Sequence, residues 1–269
     1  ILFFFFFFIE VNMLLTLDIG NTSTTIGLFD NDKLVETWSI ASEKHRSEDE
    51  IGMLLLNLLK FNNYDKNVDC ACMCSVVVCL TERYKNALKK YLYIDPFVVS
   101  NKTTNMLNYC VDYPEEVGPD RIVNAFAAYS LYKKTCIVVD MGTATSFDIV
   151  KGNGDFLGGI ICAGMKIQAE SLKKFTSKLP LIKIEAPSNA IGKNTIDAML
   201  SGIVRGHACM IDGLIKECEA ELGEKAVVIA TGGYSDIVAQ YMERKFDCIN
   251  PTITLEGLKI VYDAHVLPV

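Results

Sequence analysis

Histidine and tryptophan are scarce in this chain, and C-x-x-C pairs are absent. Its 269 residues include three histidines, one tryptophan and ten cysteines. Without a C-x-x-C pair, a structural zinc site is disfavoured. The alternation of Cys70, Cys72 and Cys74 places all three on one face of a strand, where they would act as small hydrophobic side chains. We therefore expect free thiols, as in a reducing cytosol.

An excess of positive charge is also missing. The chain has 26 basic and 33 acidic residues, which gives a net charge of −7. Nucleic-acid binders need a cationic surface for phosphates, so we expect no nucleic-acid partner. A phosphorylated nucleotide remains possible, because its site is built from local backbone N–H groups and a metal. With 50% hydrophobic residues, the chain can bury a sizeable core.

The apolar N-terminal run is too short to span a membrane. Residues 1–9 are all apolar, but a spanning helix needs about 20 such residues. No Lys or Arg precedes the run and no small-residue cleavage site follows it, which makes it a poor signal peptide. Met13 stands directly before a clean strand pattern, so we expect residues 1–12 to be an extension of doubtful translation. These features favour a cytoplasmic protein with no membrane partner.

Two strand–turn–strand patterns half a chain apart begin with the same sequence pattern, an apolar segment that ends in Asp-x-Gly. The apolar segment 14–17 ends in Asp18-Ile-Gly20, and the segment 136–139 ends in Asp140-Met-Gly142. Helical periodicity covers 48–61, 81–93, 120–133 and 195–222, and continuous apolar runs at 71–80, 136–139 and 226–230 are typical of buried parallel strands. The pattern predicts an α/β fold with duplicated halves, 13–128 and 129–269.

The two acidic turns are candidate phosphate-binding sites. Each places a carboxylate at the end of a buried strand, followed by a glycine that lets the backbone approach a ligand closely. Asp18 can hold Mg²⁺ directly or through water. A single turn of this kind could equally be a hairpin with an Asx turn. Two of them at corresponding points favour a site that grips a polyphosphate, and Thr231-Gly-Gly233 is a third glycine turn at a strand end.

A short motif with an acidic residue stands at the start of the predicted helix 120–133. In Gly118-Pro-Asp-Arg121, Asp120 is suited either to capping the helix or to accepting a proton from a substrate bound by Arg121. The chain has no G-x-S-x-G and no G-x-x-x-x-G-K-[ST] motif. Their absence disfavours a serine hydrolase and a P-loop kinase.

Taken in order, the motifs resemble those of the type III pantothenate kinases, a family of the acetate/sugar kinase–Hsp70–actin superfamily. The motifs are Asp18-Ile-Gly-Asn-Thr22, Gly118-Pro-Asp-Arg121, Asp140-Met-Gly-Thr-Ala-Thr145, Gly158-Gly159…Gly164, Gly192-Lys-Asn-Thr195 and Thr231-Gly-Gly233. The resemblance implies two actin/ribonuclease H-like halves, each a mixed sheet flanked by helices, with an active-site cleft between them. It also implies ATP-dependent phosphorylation of the 4′-hydroxyl of pantothenate, the first step of coenzyme A biosynthesis.

The resemblance also implies roles for individual residues. Asp120 would be the general base, Asp140 would coordinate a monovalent cation (K⁺ or NH₄⁺), and Asp18 would hold Mg²⁺. Pantothenate contacts are expected at Gly118, Pro119, Asp120, Arg121 and Thr195. ATP contacts are expected at Asp18, Ile19, Gly20, Asn21, Thr22, Ser23, Thr24, Thr25 and Thr143. Family members are homodimers, and the helix 195–222 is the candidate dimer-facing element.

The sequence departs from the family pattern at two positions. Ala163 replaces the usual proline of the Gly-Gly…Pro-Gly loop, and Val111 stands where many relatives have a pantothenate-contacting tyrosine. Tyr109 and Tyr113 flank that position and are not assigned to the site.

Two other functions are compatible with the motifs. One is a non-catalytic ATPase-like regulator or actin-type assembly protein, which would leave Asp120-Arg121 unexplained. The other is a kinase for another small molecule, such as acetate or a sugar.

Overall fold

The computed structural model describes residues 13–65, 67–103 and 105–266. The expected extension 1–12 lies outside the described residues. Packing divides the chain into two compact units. The first contains the described residues of Ile1–Thr104, Val117–Val123 and Thr254–Val269, and the second contains Asn105–Glu116 and Asn124–Ile253. Packing units and sequence repeats need not share a boundary, so the halves 13–128 and 129–269 remain a prediction.

The first unit contains a mixed five-stranded sheet in the order β3-β2-β1-β4-β5. Strands β1 (Met13–Ile19), β2 (Ser23–Asp30) and β3 (Lys33–Ala41) form an antiparallel meander. Strands β4 (Val68–Ser75) and β5 (Phe97–Val98) add in parallel to β1. This mixed arrangement brings the ends of β1 and β4 to the same edge of the sheet.

The two faces of this sheet have different roles. Leu15, Leu17 and Ile19 of β1 are fully buried in the hydrophobic core formed with helix α1 (Glu48–Phe61) and helix α2 (Val78–Ala87). The alternate residues Thr16 and Asp18 lie opposite Cys72 and Cys74 on the other face. All ten cysteines are free thiols, as predicted, and Cys70, Cys72 and Cys74 share one strand face.

The second unit repeats the topology of the first. Strands β7 (Cys136–Met141), β8 (Ala144–Val150) and β9 (Asp155–Ala163) form the meander, and β10 (Val227–Thr231) and β11 (Cys248–Ile249) add in parallel to β7. The order β9-β8-β7-β10-β11 matches β3-β2-β1-β4-β5, with β6 (Asn108–Tyr109) added beside β9. Two mixed sheets flanked by helices therefore confirm the predicted fold class.

The remaining helices are α3 (Pro119–Tyr132), α4 (Met165–Phe175), α5 (Thr195–Leu200), α6 (Gly206–Leu222), α7 (Ser235–Ala239) and α8 (Ile253–Val266). A π-helical turn, Ser201–Arg205, joins α5 to α6, so the predicted helix 195–222 is continuous. By length and composition, this is the one helix among the described residues that could cross a membrane, and half of its most apolar window is buried. Such burial is also typical of the core helix of a folded domain.

The predicted strand 71–80 is wrong in its second half. Strand β4 ends at Ser75, and α2 begins at Val78 instead of the predicted residue 81. The Ser75 hydroxyl accepts a hydrogen bond from the Val77 N–H at 3.2 Å and another from Thr81 Oγ1 at 2.9 Å. These bonds replace the sheet hydrogen bonds and turn the chain into the helix. A π-helical turn, Leu88–Leu92, continues α2, so helical structure ends one residue before the predicted end of the helix 81–93.

Candidate functional site

The first acidic turn closes the β1–β2 hairpin. Asp18 lies opposite Thr25 of β2 and Cys74 of β4, and its side chain is half-buried. The Gly20 N–H donates to the Ser23 carbonyl at 3.0 Å, which makes the turn tight. Asn21, Thr22 and Ser23 are exposed at its tip, with their side chains accessible to a ligand.

Two of the predicted ATP-binding residues have side chains that face the interior. Ile19 is fully buried in the core, and Thr24 is fully buried with its hydroxyl 2.9 Å from the Ser42 hydroxyl. Only backbone groups of these two residues could contact a nucleotide. The half-buried Thr25 faces the same side of the sheet as Asp18, its partner across the hairpin.

Asp18 and Asp120 both act on one buried thiol, that of Cys74. Cys74 Sγ donates to Asp18 Oδ1 at 3.4 Å. Burial raises the pKa of the Cys74 thiol well above its usual range, and the negative charges of Asp18 and Asp120 raise it further. Both carboxylates therefore lie close enough to Cys74 to act on its ionisation. The predicted Mg²⁺ ligand and the predicted general base belong to one cluster within the first unit.

The Gly118–Arg121 step forms the start of helix α3. Pro119 is its first residue, and the Ile122 N–H donates to the Gly118 carbonyl at 3.1 Å. Asp120 Oδ1 accepts from the Arg121 N–H at 2.8 Å. Burial raises the pKa of the Asp120 carboxyl, and the Arg121 N–H and guanidinium oppose that rise. A carboxylate that is partly desolvated holds a proton more readily than one in water, which suits a general base.

The second acidic turn, Asp140–Thr145, is enclosed by two glycines. Asp140 is half-buried and lies opposite Ser146 of β8 and Thr231 of β10. A Cβ atom on Gly164 would lie 2.3 Å from the Thr143 carbonyl oxygen, and one on Gly232 would lie 2.5 Å from the Met141 carbonyl. Only glycine permits this close backbone packing. The exposed Thr143 therefore lies at the tip of a turn whose backbone is fixed from two sides.

Thr195 lines an apolar cavity in the second unit. The cavity has a volume of ≈ 850 Å³ and lies between helix α4 and the α5–π-turn segment. Its other lining residues include Gln168, Phe175, Leu179 and Met199. Thr195 is exposed and begins α5 directly after the cap residue Asn194. Among the predicted pantothenate contacts, it is the one that lies in this unit, while Gly118–Arg121 lie in the first.

The donor atoms at the two turns suit hard cations. Within residues 13–65, 67–103 and 105–266, no group of three His, Cys, Asp or Glu side chains could hold a metal by itself. Mg²⁺ prefers oxygen ligands and is commonly held by one or two carboxylates together with substrate phosphates. The half-buried Asp18 at the end of β1 fits that pattern. The half-buried Asp140 near the end of β7 likewise offers the oxygen ligands that a monovalent cation takes.

Sequence reasoning missed two polar contacts of this site. Cys74 was interpreted as a small hydrophobic residue, whereas its thiol bonds the Asp18 carboxylate. His207, within the predicted helix 195–222, is buried, and its ring bonds the Thr145 hydroxyl at 2.9 Å. The available signal for Cys74 was its position, because Asp18 and Cys74 are each the residue before the last of their strand. No sequence signal links His207 to a residue 62 positions away.

Comparison with known proteins decides the family. A sequence model described as type III pantothenate kinase matches residues 14–217. The type III pantothenate kinase of Dehalococcoides mccartyi strain CBDB1 is 42% identical over 253 residues, which cover 94% of this chain and 96% of the relative. That of Roseiflexus sp. strain RS-1 is 39% identical over 255 residues, covering 94% and 99%. The chain belongs to the type III pantothenate kinase family.

Solved structures place this family member in a wider fold group. A Campylobacter jejuni protein assigned to the Baf family of transcriptional activators superposes with a TM-score of 0.58 at 19% identity, covering 93% of this chain and 98% of the other. A ROK family glucokinase from Streptomyces griseus, solved with glucose and AMPPNP, gives a TM-score of 0.51 at 13% identity, covering 94% and 100%. At such low identities these likenesses show the fold alone.

Proposed function

We propose that this type III pantothenate kinase transfers the terminal phosphoryl group of ATP to the 4′-hydroxyl of pantothenate, giving 4′-phosphopantothenate for coenzyme A biosynthesis. Family membership over residues 14–217 carries the proposal. The cluster of Asp18, Cys74 and Asp120 supports it, because a phosphate-side carboxylate and a proton-accepting carboxylate occur together. A non-catalytic regulator would not need a second, desolvated carboxylate at that place.

In the proposed mechanism, Asp120 accepts the proton of the 4′-hydroxyl as the oxygen attacks the γ-phosphorus. The bond between that phosphorus and the bridging β–γ oxygen breaks, and ADP leaves with the electron pair. Arg121 and the backbone of Gly118 and Pro119 hold pantothenate, and Thr195 contributes from the start of α5. The exposed side chains that would donate to the ATP phosphates are those of Asn21, Thr22, Ser23 and Thr143. The remaining ATP contacts would come from Asp18, Gly20 and Thr25. Ile19 and Thr24 would contribute backbone groups. Phosphoryl transfer depends mainly on such positioning and on neutralising charge at the phosphoryl oxygens.

Two cations complete the proposed site. Asp18 would hold Mg²⁺ directly or through water, and Asp140 would hold K⁺ or NH₄⁺. When bound, they neutralise the negative charge of the nucleotide phosphates. We further propose a cytoplasmic homodimer in which the helical segment Thr195–Leu222 faces the partner. Light scattering after size exclusion tests the dimer.

The proposed activity has a direct test. The purified protein is incubated with ATP, Mg²⁺ and K⁺ and, in parallel reactions, with pantothenate, acetate and a panel of sugars, and the products are identified by mass spectrometry. The proposal expects 4′-phosphopantothenate from pantothenate and no product from the other acceptors. A phosphorylated acetate or sugar alone would indicate a different small-molecule kinase. No phosphorylated product from any acceptor would favour the regulator.

The rate should depend on pH through Asp120. Above its pKa the carboxyl is ionised and accepts a proton, and below that pKa it is protonated and inactive as a base. Since burial raises the pKa of Asp120, we expect kcat/KM for pantothenate to fall on the acid side at a higher pH than an aspartate in water would give. Initial rates across the acidic range measure this limb, with activity recovered on return to neutral pH as the folding control.

An Arg121→Gln variant sharpens the pH test. The Arg121 charge lowers the pKa of Asp120, so removing it should move the acid limb to higher pH, whatever the loss in pantothenate affinity. An acid limb that stays in the same place in the wild type and in this variant would exclude Asp120 as the titrating group.

A further inference from the structure

His207 links three elements of the second unit through its two ring nitrogens. The residue is 2% exposed and lies at the start of α6, directly after the π-helical turn. Its Nε2 lies 2.9 Å from Thr145 Oγ1, and its Nδ1 lies 3.1 Å from Gln168 Nε2 on α4. Thr145 is itself buried, whereas the preceding Thr143 and Ala144 are exposed. Thr145 is therefore the anchored end of the Asp140–Thr145 turn.

The hydrogen bonds determine the state of the ring. Gln168 Nε2 also donates to the Ala163 carbonyl at 2.9 Å. A carbonyl oxygen can only accept, so the Gln168 side-chain atom that faces the Ala163 carbonyl is the nitrogen of the amide NH₂ group. The same NH₂ group donates its other proton to His207 Nδ1. Nδ1 is therefore unprotonated and the proton is on Nε2, which donates to Thr145 Oγ1. Burial also lowers the pKa of His207, which favours this neutral ring.

We propose that His207 is a positioning residue for the Asp140–Thr145 turn, acting through its Nε2–H bond to Thr145. This inference rests on the proposed role of that turn in binding the nucleotide and the monovalent cation. The backbone of the turn is already confined by Gly164 and Gly232, and His207 fixes its last side chain. An apolar side chain could fill this position without a partner, whereas buried imidazole and hydroxyl groups cost stability unless they are bonded.

Four variants test the role. His207→Phe removes the donor, and Thr145→Val removes the acceptor with little change in shape. His207→Gln keeps an N–H donor of similar reach. A double variant, His207→Phe with Thr145→Val, measures coupling between the two side chains. Thr135→Val is the matched control, because the Thr135 hydroxyl bonds Glu224 at 2.7 Å and lies just before the opposite end of β7 from Asp140.

Two measurements report on nucleotide and cation binding at the Asp140–Thr145 turn. Calorimetry gives the Kd for an unreactive ATP analogue with Mg²⁺ and K⁺, and activity assays give the K⁺ concentration for half-maximal rate. We expect His207→Phe and Thr145→Val each to raise both values about three- to tenfold, as expected for the loss of one buried hydrogen bond. His207→Gln should recover most of the loss. The double variant should lose less than the two single losses combined, and Thr135→Val should match the wild type.

Some outcomes would overturn the proposal. Variants that lower thermal stability but keep wild-type values for the analogue Kd and for K⁺ activation would make His207 a purely structural residue. Additive losses in the double variant would separate His207 from Thr145. If His207→Phe does not fold, Thr145→Val still decides. A wild type that binds the analogue but does not phosphorylate pantothenate would refute the proposed substrate, while the calorimetric comparison would still test the positioning role.

Discussion

Replacing Asp120 by Asn is expected to lower kcat by about 10²- to 10⁴-fold, which corresponds to roughly 3–5 kcal/mol of transition-state stabilisation. Asn keeps the shape of the side chain and can still accept from the Arg121 N–H, but it cannot take the proton of the hydroxyl. Because this interaction belongs to the transition state, kcat and kcat/KM should fall together while KM for pantothenate and for ATP stays near wild type. Steady-state kinetics at saturating ATP measures the split.

The same variant should remain folded. Since burial raises the pKa of Asp120, the ionised carboxylate is less favourable in the folded state than in water, and the folded protein loses stability as pH rises through that pKa. A neutral Asn removes this penalty, so the thermal midpoint at neutral pH should be no lower than that of the wild type. Asp95→Asn is the control, because Asp95 is exposed and pairs with Lys89 at 3.0 Å, and its activity should be unchanged. Near-normal turnover of folded Asp120→Asn would refute the general-base role.

Replacing Gly232 by Ala is expected to lower the free energy of unfolding by about 2–4 kcal/mol, which combines the strain of a positive φ with overpacking. Gly232 has φ +91°, and an added Cβ would lie 2.5–2.7 Å from the Met141 backbone. The backbone of the Asp140–Thr145 turn would have to move to relieve these contacts. ATP binding should therefore weaken together with stability, which urea unfolding and calorimetry measure on the same sample.

The neighbouring glycine provides the matched control. A Cβ on Gly233 would have nothing within 4 Å, so Gly233→Ala should unfold at the same urea concentration as the wild type. Equal losses of stability in the two variants would show that the Thr231-Gly-Gly233 turn tolerates no side chain at all. No loss in Gly232→Ala would contradict the close packing of that turn against Met141.

Much of the fold followed from local patterns. Strand periodicity, the helix at Glu48–Phe61 and the repeated Asp-x-Gly turns predicted an α/β fold with duplicated halves, and the structure repeats one strand order twice. The boundary after β4 could not be predicted this way. Val76, Val77 and Val78 continue the apolar run, but the Ser75 hydroxyl bonds the Val77 N–H and ends the strand. Helix α8 was also missed. Its residues Tyr262 and Lys259 contact Cys70 and Asp32 of the first unit, which lie far from them in the sequence.

The sequence by itself indicated the family, because the short motifs carry backbone and side-chain requirements that are local. The resemblance to that family then supplied the residues proposed for ATP and pantothenate. Tertiary structure alone decided that Cys74 bonds Asp18, that Gly164 and Gly232 confine the second turn, and that His207 bonds Thr145. Each of these contacts joins residues far apart in the chain. Their distances depend on strand pairing and helix packing, which no local pattern specifies.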